Sequence, residues 1–204
     1  MTIVVAVKND KDIMIGADKR ATLGDMITSE DCSKILIKTV NVNNYPDMDE
    51  EQILIGFSGP TSAKEILKLF EMPIKDKRET FIEYWYKKVY SKLYSYLKDF
   101  ENIEEYNNGQ HGITWRLLIA YKNELYIVGE TLEMRKIEED YYAVGSGSEF
   151  ALGSLYTTHE DSQVTSIGYT VASAIRAAAK FDTNCNDKFS LYVIDKTGKI
   201  ERMA

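Results

Sequence analysis

Two short apolar runs at the start of the chain limit what it can fold into. Ile3-Val4-Val5-Ala6-Val7 and Ile13-Met14-Ile15-Gly16-Ala17 flank the turn-forming stretch Asn9-Asp10-Lys11-Asp12, the pattern of a β-hairpin. A third strand is expected over residues 34–40, beginning Lys34-Ile35-Leu36-Ile37, and a fourth over Ile53-Leu54-Ile55-Gly56-Phe57. Between them the acidic, Asn-rich residues 41–52 read as an exposed loop. Ser58-Gly59-Pro60 then opens a helix with Ala63, Ile66, Leu67 and Phe70 at helical spacing, and Pro60 suits its first turn.

A second helix is expected from Thr80 to Phe100, with Phe81, Trp85, Val89, Leu93 and Tyr96 on one face. Its many tyrosines read as core and helix-packing residues. After a loop at 101–112, Ile113–Tyr121 and Glu124–Val128 form a strand pair around Lys122-Asn123. Tyr142-Ala143-Val144 is a strand, and Gly145-Ser146-Gly147-Ser148 ends it and opens a helix. Another helix spans roughly 162–180, carrying Ile167, Val171, Ala174, Ile175 and Ala178. Phe189–Ile194 and Lys199–Met203 close the chain as a hairpin around Asp195–Gly198.

Strands that return by hairpins, with helices grouped in pairs, point to an α+β fold. The expected architecture is a four-layer αββα sandwich, two antiparallel sheets face to face with helix pairs outside. The 204 residues suffice for one domain, and no internal repeat or low-complexity linker divides 1–204.

Charge and cysteine usage exclude several functions. A net charge of −7 with no dense Lys/Arg block argues against a nucleic-acid binder. Cys32 and Cys185 are too few for a disulfide framework and lack partners for a zinc site, so no metal is expected. His111 and His159, each in a polar stretch, read as surface side chains. The first residues do not form a signal peptide, and no stretch approaches the ~18 apolar residues of a membrane span. A cytoplasmic protein with no membrane contact is expected.

Chemistry enters at Thr2. Removal of Met1 would leave a threonine carrying both a hydroxyl nucleophile and a free α-amine of reference pKa ~7.7–8.0, which can take the Oγ proton near neutral pH. A retained Met1 would make that nitrogen a peptide amide and remove the base. Asp18 ends an apolar strand and Lys34 begins another. An ammonium near Oγ would favour its anionic form, and a carboxylate would keep that lysine charged and oriented. Taken alone, the two also read as a surface ion pair. The Gly59 amide suits an oxyanion, whereas Ser58 reads equally well as a helix N-cap. Gly145-Ser146-Gly147 lacks the further glycine and the lysine of a P-loop.

Together, Thr2, the run from Gly16 to Gly24 (Gly-Ala-Asp-Lys-Arg-Ala-Thr-Leu-Gly), Lys34, Gly56-Phe57-Ser58-Gly59 and Val144-Gly145-Ser146-Gly147-Ser148 resemble the proteasome β-subunit family. These are N-terminal-nucleophile hydrolases that include the bacterial HslV-type peptidase. Asp18 lies sixteen positions after Thr2, and Lys34 sixteen after Asp18, a spacing that resembles the family's. The resemblance spans nearly the whole chain. The absence of an added helix before the first strand resembles a catalytic β-type subunit rather than an α-type gatekeeper.

The resemblance implies Thr2 as nucleophile and, through its amine, as general base. Lys34 would lower the effective pKa at Thr2, Asp18 would hold Lys34, and Gly59 would contribute to the oxyanion hole. Ser146 and Asp182 would orient the amine, and Thr22 would pair with the substrate backbone. Ala21, Cys32, Leu36, Phe57 and Thr61 would line a pocket favouring apolar side chains. One departure stands out. The family often has a serine three residues beyond the aspartate, and here Cys185 follows Asp182 at that distance. Cysteine is the poorer donor.

The implied activity is a threonine endopeptidase without cofactor, acting on polypeptides as a homo-oligomeric ring or double ring. An ATP-dependent unfoldase or gating ring would be its partner. The alternatives are a non-catalytic proteasome-like scaffold subunit and a small-amide N-terminal-nucleophile amidohydrolase.

Overall fold

The computed structural model describes residues 2–100, 103–105, 111–160 and 166–203. The start of the helix expected at 162, and most of the loop expected at 101–112, lie outside the described residues.

The first sheet grows from the N-terminal hairpin. β1 (Ile3–Lys8) and β2 (Asp12–Asp18) pair antiparallel with Val5 opposite Gly16. β13 (Tyr141–Gly145) adds beside β1, and β14 (Phe189–Asp195) with β15 (Ile200–Arg202) extends the sheet beyond β2. β1 carries no polar alternation because both of its faces are covered. Ile3, Val5 and Val7 contact one apolar cluster with Val171, Ala174, Ile175 and Ala178 of α5 (Ile167–Phe181), over which α4 (Ser148–Glu160) also lies. Val4 and Ala6 face the other way, into a cluster shared with Leu54, Leu118, Ala120 and Leu125.

The second sheet supplies those last residues. Its order is β12 (Met134–Lys136), β11 (Glu124–Val128), β10 (Arg116–Tyr121), β6 (Asp47–Ser58), β5 (Ile35–Asn44) and β7 (Lys75–Asp76). All neighbours are antiparallel except the two-residue β5–β7 ladder. Its outer face carries Ile53, Ile55, Phe57, Leu117 and Ile119 against α1 (Ser62–Leu69), α2 (Phe81–Tyr84) and α3 (Tyr90–Asp99). The expected four-layer αββα sandwich is therefore observed. No helix among the described residues is long and apolar enough to cross a membrane.

Several local expectations change. Residues 41–52 are not a loop: β5 and β6 run together from Ile35–Gly56 to Asn44–Asp47, turning at a cis Tyr45-Pro46 bond. Val40 and Val42 are buried while Asn41 and Asn43 are exposed, a strand alternation that the acidic composition masked. The loop expected at 101–112 includes a short ladder of β8 (Glu104–Glu105) with β9 (His111–Gly112). β3 (Ala21–Leu23) and β4 (Met26–Ser29) form a further small hairpin over Gly24, whose φ is +57°.

The second helix contains a π-helical turn at Trp85–Val89 between α2 and α3. Wider winding there lets an apolar spacing of four persist, so Phe81, Trp85, Val89, Leu93 and Leu97 are buried, with Leu97 in the inward place expected of Tyr96. Thr80 caps α2 with a reciprocal Glu83 bond. Tyr84 is buried with its hydroxyl donating to the Pro73 carbonyl, and both His111 and His159 are exposed.

Gly56 sets how closely the sheets approach. A Cβ there would sit 2.4 Å from Val4 Cγ1 and 3.0 Å from Ile15 Cγ2. Gly56→Ala should cost about 1–3 kcal/mol by overpacking. Combining it with Val4→Ala should be less damaging than the sum of the two single changes, read by urea unfolding. Additive losses would show that the sheets do not meet here.

Candidate active site

The ends of several elements meet at one edge of the sandwich. Thr2 immediately precedes β1, Asp18 ends β2, Lys34 immediately precedes β5, and Ser58 ends β6. Pairing of Ile3 with Gly145 brings the residues after β13 beside Thr2. Lys34 is anchored through its carbonyl, which accepts from the Phe57 N–H at 3.0 Å. Register thus gathers side chains that are far apart in the chain.

Asp18 is the centre of this arrangement and is fully buried. Its Oδ1 accepts from Thr2 Oγ at 2.6 Å, from Lys34 Nζ at 2.6 Å and from the Ile3 N–H at 2.9 Å. Its Oδ2 accepts from the Arg20 N–H at 3.0 Å and the Asn186 N–H at 3.3 Å. Thr2 and Lys34 are 1% and 5% exposed. The Asp18–Lys34 contact is therefore not the surface ion pair that sequence alone allows. Burial lowers the Lys34 pKa, while the Asp18 charge and hydrogen bond oppose that shift.

A second carboxylate stands behind the first turn of α4. Asp182 caps the C-terminus of α5, where the Asn184 N–H and Nδ2 each donate to its Oδ1 at 2.9 Å. Cys185 Sγ–H donates to Oδ2 at 3.3 Å, so a cysteine, the weaker donor, stands where the resemblance implies a serine. Burial acts to raise the Asp182 pKa, but hydrogen bonds from Ser146, Asn184 and Cys185 outweigh it and hold the carboxyl below its ordinary range. Burial drives the Cys185 thiol pKa strongly upward, so it stays protonated as a donor.

The Thr2 carbonyl accepts from Ser146 Oγ at 3.4 Å and the Gly147 N–H at 3.5 Å. Gly145, with φ +114°, allows this approach, since a Cβ there would lie 2.1 Å from the Thr2 oxygen. Gly59 is required for a related reason: a Cβ would lie 2.3 Å from Trp115 Cβ.

A cleft of about 610 Å3 opens beside these groups. Of the residues expected from sequence, Ala21, Thr22, Cys32, Lys34, Phe57, Gly59, Thr61 and Ser146 line it. Leu36 does not; it lines a separate depression with Lys38 and Met72, because its side chain falls on the outer face of β5. Ser58 is not a helix N-cap, as α1 begins at Ser62 with Thr61 at the cap position. Thr28 and Thr114 also line the cleft and were missed. Neither carries a sequence signal: Thr28 arrives on the β3–β4 hairpin and Thr114 on the connection between β9 and β10. Among the described residues no cluster of His, Cys, Asp and Glu is arranged to hold a metal ion.

Asp182 gives a pH-dependent test. A carboxyl with a depressed folded-state pKa contributes stability above its unfolded value of ~3.9, and loses it as pH falls through the folded value. Asp182→Asn should therefore be less stable than the parent at neutral pH, with a gap that narrows as pH falls below ~4. A pH-independent gap in chemical unfolding would contradict this.

No protein-family model matches the chain. An ATP-dependent protease subunit HslV from Thermosipho africanus is 26% identical over 192 residues, covering 93% of this chain and 95% of that protein. The protein of the same name from Borreliella burgdorferi is 25% identical over 187 residues, covering 91% and 92%. Among solved structures, Thiobacillus denitrificans BPH superposes with a TM-score of 0.75 at 20% identity, over 97% of this chain and 100% of that one. The last likeness shows the shared fold. The near full-length sequence relatives make the chain similar to HslV-type protease subunits, in line with the resemblance its residues carry to the proteasome β-subunit family.

Proposed function

We propose that the chain is the threonine endopeptidase subunit of a self-compartmentalising ring protease, with Thr2 as nucleophile once Met1 is removed. The observation that carries this is the buried contact of Thr2 Oγ and Lys34 Nζ with one Asp18 oxygen, beside an open cleft. Burying an ion pair costs more than leaving it in water unless its geometry is well satisfied. A scaffold subunit has no physical need to hold such a pair against a hydroxyl.

In the sequence Thr2 is joined to Met1, so its nitrogen is an amide. Excision of Met1 frees an amine able to take the Oγ proton, directly or through one water. Oγ then adds to the peptide carbonyl, and the Gly59 N–H stabilises the oxyanion. Lys34 stabilises the forming alkoxide electrostatically, and Asp18 fixes its position. Collapse expels the amine product, which takes the proton held by the Thr2 ammonium, and leaves an ester on Oγ. Water, deprotonated by the same amine, hydrolyses the ester and restores Thr2. Ser146 and Asp182 orient the amine, Thr22 pairs with the substrate backbone, and Ala21, Cys32, Phe57 and Thr61 shape the side-chain pocket.

The assembly is proposed to be a cytoplasmic homo-oligomeric ring or double ring acting on polypeptides with an ATP-dependent unfoldase or gating ring. The names of the relatives, ATP-dependent protease subunits, support that partner.

Hydrolysis of a fluorogenic peptide by Met1-free protein should vanish in Thr2→Ala. Lys34→Ala should lose about 10²–10³-fold in kcat, by analogy with removal of a stabilising donor, while size-exclusion chromatography shows unchanged assembly. Undiminished activity in either variant would refute the assigned roles. Turnover of small amides but not peptides would favour the amidohydrolase.

A further inference from the structure

We infer that Asn186 is a positioning residue for the Asp18–Lys34 pair, acting through a clamp that runs from the buried carboxylate to Glu30 at the surface. The inference rests on the peptidase reading above.

Asn186 lies in the turn between α5 and β14 and is 5% exposed. Its backbone N–H and both polar ends of its side chain are engaged. The backbone N–H donates to Asp18 Oδ2 at 3.3 Å, and the side-chain oxygen accepts from the Lys19 N–H at 3.0 Å. Nδ2 donates to the Glu30 carbonyl at 3.5 Å and, more closely, to Glu30 Oε2. A side-chain amide suits this place because it accepts on one side and donates on the other.

Glu30 then closes the circuit. Its Oε1 accepts from Arg20 Nε at 3.2 Å and lies 3.1 Å from Arg20 Nη2. Arg20 Nη1 donates to the Thr183 carbonyl at 2.7 Å, back in the turn that carries Asn186. The Asn186 amide is the main cause holding the Glu30 carboxyl below its ordinary range; burial opposes it, and Arg20 and Lys188 assist.

The backbone donor to Asp18 is thus fixed by a side chain that itself never reaches Asp18. If the amide is lost, the turn can withdraw, leaving the Arg20 N–H as the remaining donor to Oδ2. Asp18 sets where Lys34 stands relative to Thr2 Oγ. A displacement of about 1 Å in such a constellation can cost about 10²-fold in rate. Of Asn186, Lys19, Glu30, Thr183 and Arg20, only Arg20 itself lines the cleft, so loss of the clamp should fall more on kcat than on KM.

The test compares kcat and KM on one fluorogenic peptide, with Met1-free wild type and Thr2→Ala fixing the active-site signal. Wild type that cleaves no peptide would overturn the peptidase reading itself, and the inference with it. Asn186→Asp keeps the acceptor for Lys19 but sets a carboxylate against Glu30. Its kcat should drop about 10- to 100-fold, with KM within about 3-fold of wild type. Adding Glu30→Gln exchanges donor and acceptor across the same contact, and should return kcat to within about 3-fold.

Glu30→Ala reads the clamp from its exposed end, where folding is not at risk, and should lower kcat about 3- to 10-fold. Together these results would support the clamp. Wild-type kcat in Glu30→Ala, a double variant no better than Asn186→Asp, or a loss confined to KM would each overturn it. If Asn186→Asp does not fold, Glu30→Ala and the double variant decide alone.

Discussion

Everything at the active edge depends on the contact between Lys34 and Asp18. A carboxylate and an ammonium removed from water lose several kcal/mol of hydration each, and their mutual attraction offsets this only when other donors complete the shell. Here Thr2, Ile3, Arg20 and Asn186 complete it around Asp18. Those donors come from the start of β1, the end of β2 and the turn before β14. The electrostatic demand of one carboxylate therefore fixes how the N-terminal hairpin, the second sheet and the α5–β14 turn are placed relative to one another.

The sandwich meets that demand through register. β1 and β2 are buried on both faces, so a slip by one residue would exchange the helix-facing and sheet-facing sets. Pairing of β1 with β13 sets Gly145 against the Thr2 carbonyl, and packing of the two sheets sets Gly56 against Val4, two close approaches that a side chain would block. Cys185 shows the tolerance of the outer support: a poorer donor still serves Asp182, because Asn184 supplies two further bonds.

Much of this was legible in the residues. The hairpin at 3–17, the strand at 53–57 and the pair expected at 113–128, whose first strand begins only at Arg116, announced themselves by apolar runs bounded by turns. The spacing of Thr2, Asp18 and Lys34, with the glycine-bearing segments, pointed to the site. The β5–β6 extension was hidden because Asn and Glu on its exposed face outweighed Val40 and Val42 on its buried, helix-facing one. The π-helical turn has no marker except a spacing of four carried from Phe81 to Leu97. Asn186 was invisible for a different reason. It lies 168 residues from Asp18 and 156 from Glu30, and nothing local distinguishes it from any asparagine in a turn. Leu36 makes the same point, since which face of a strand a residue occupies decides whether it reaches the cleft.

The account stands on Thr2 acting through its own amine. Its most direct test is to prepare protein with graded removal of Met1, quantify the Met1-free fraction by intact mass, and plot peptide hydrolysis against that fraction. The account predicts a line through the origin, with activity carried only by chains that begin at Thr2. Full activity in chains that all retain Met1 would contradict it.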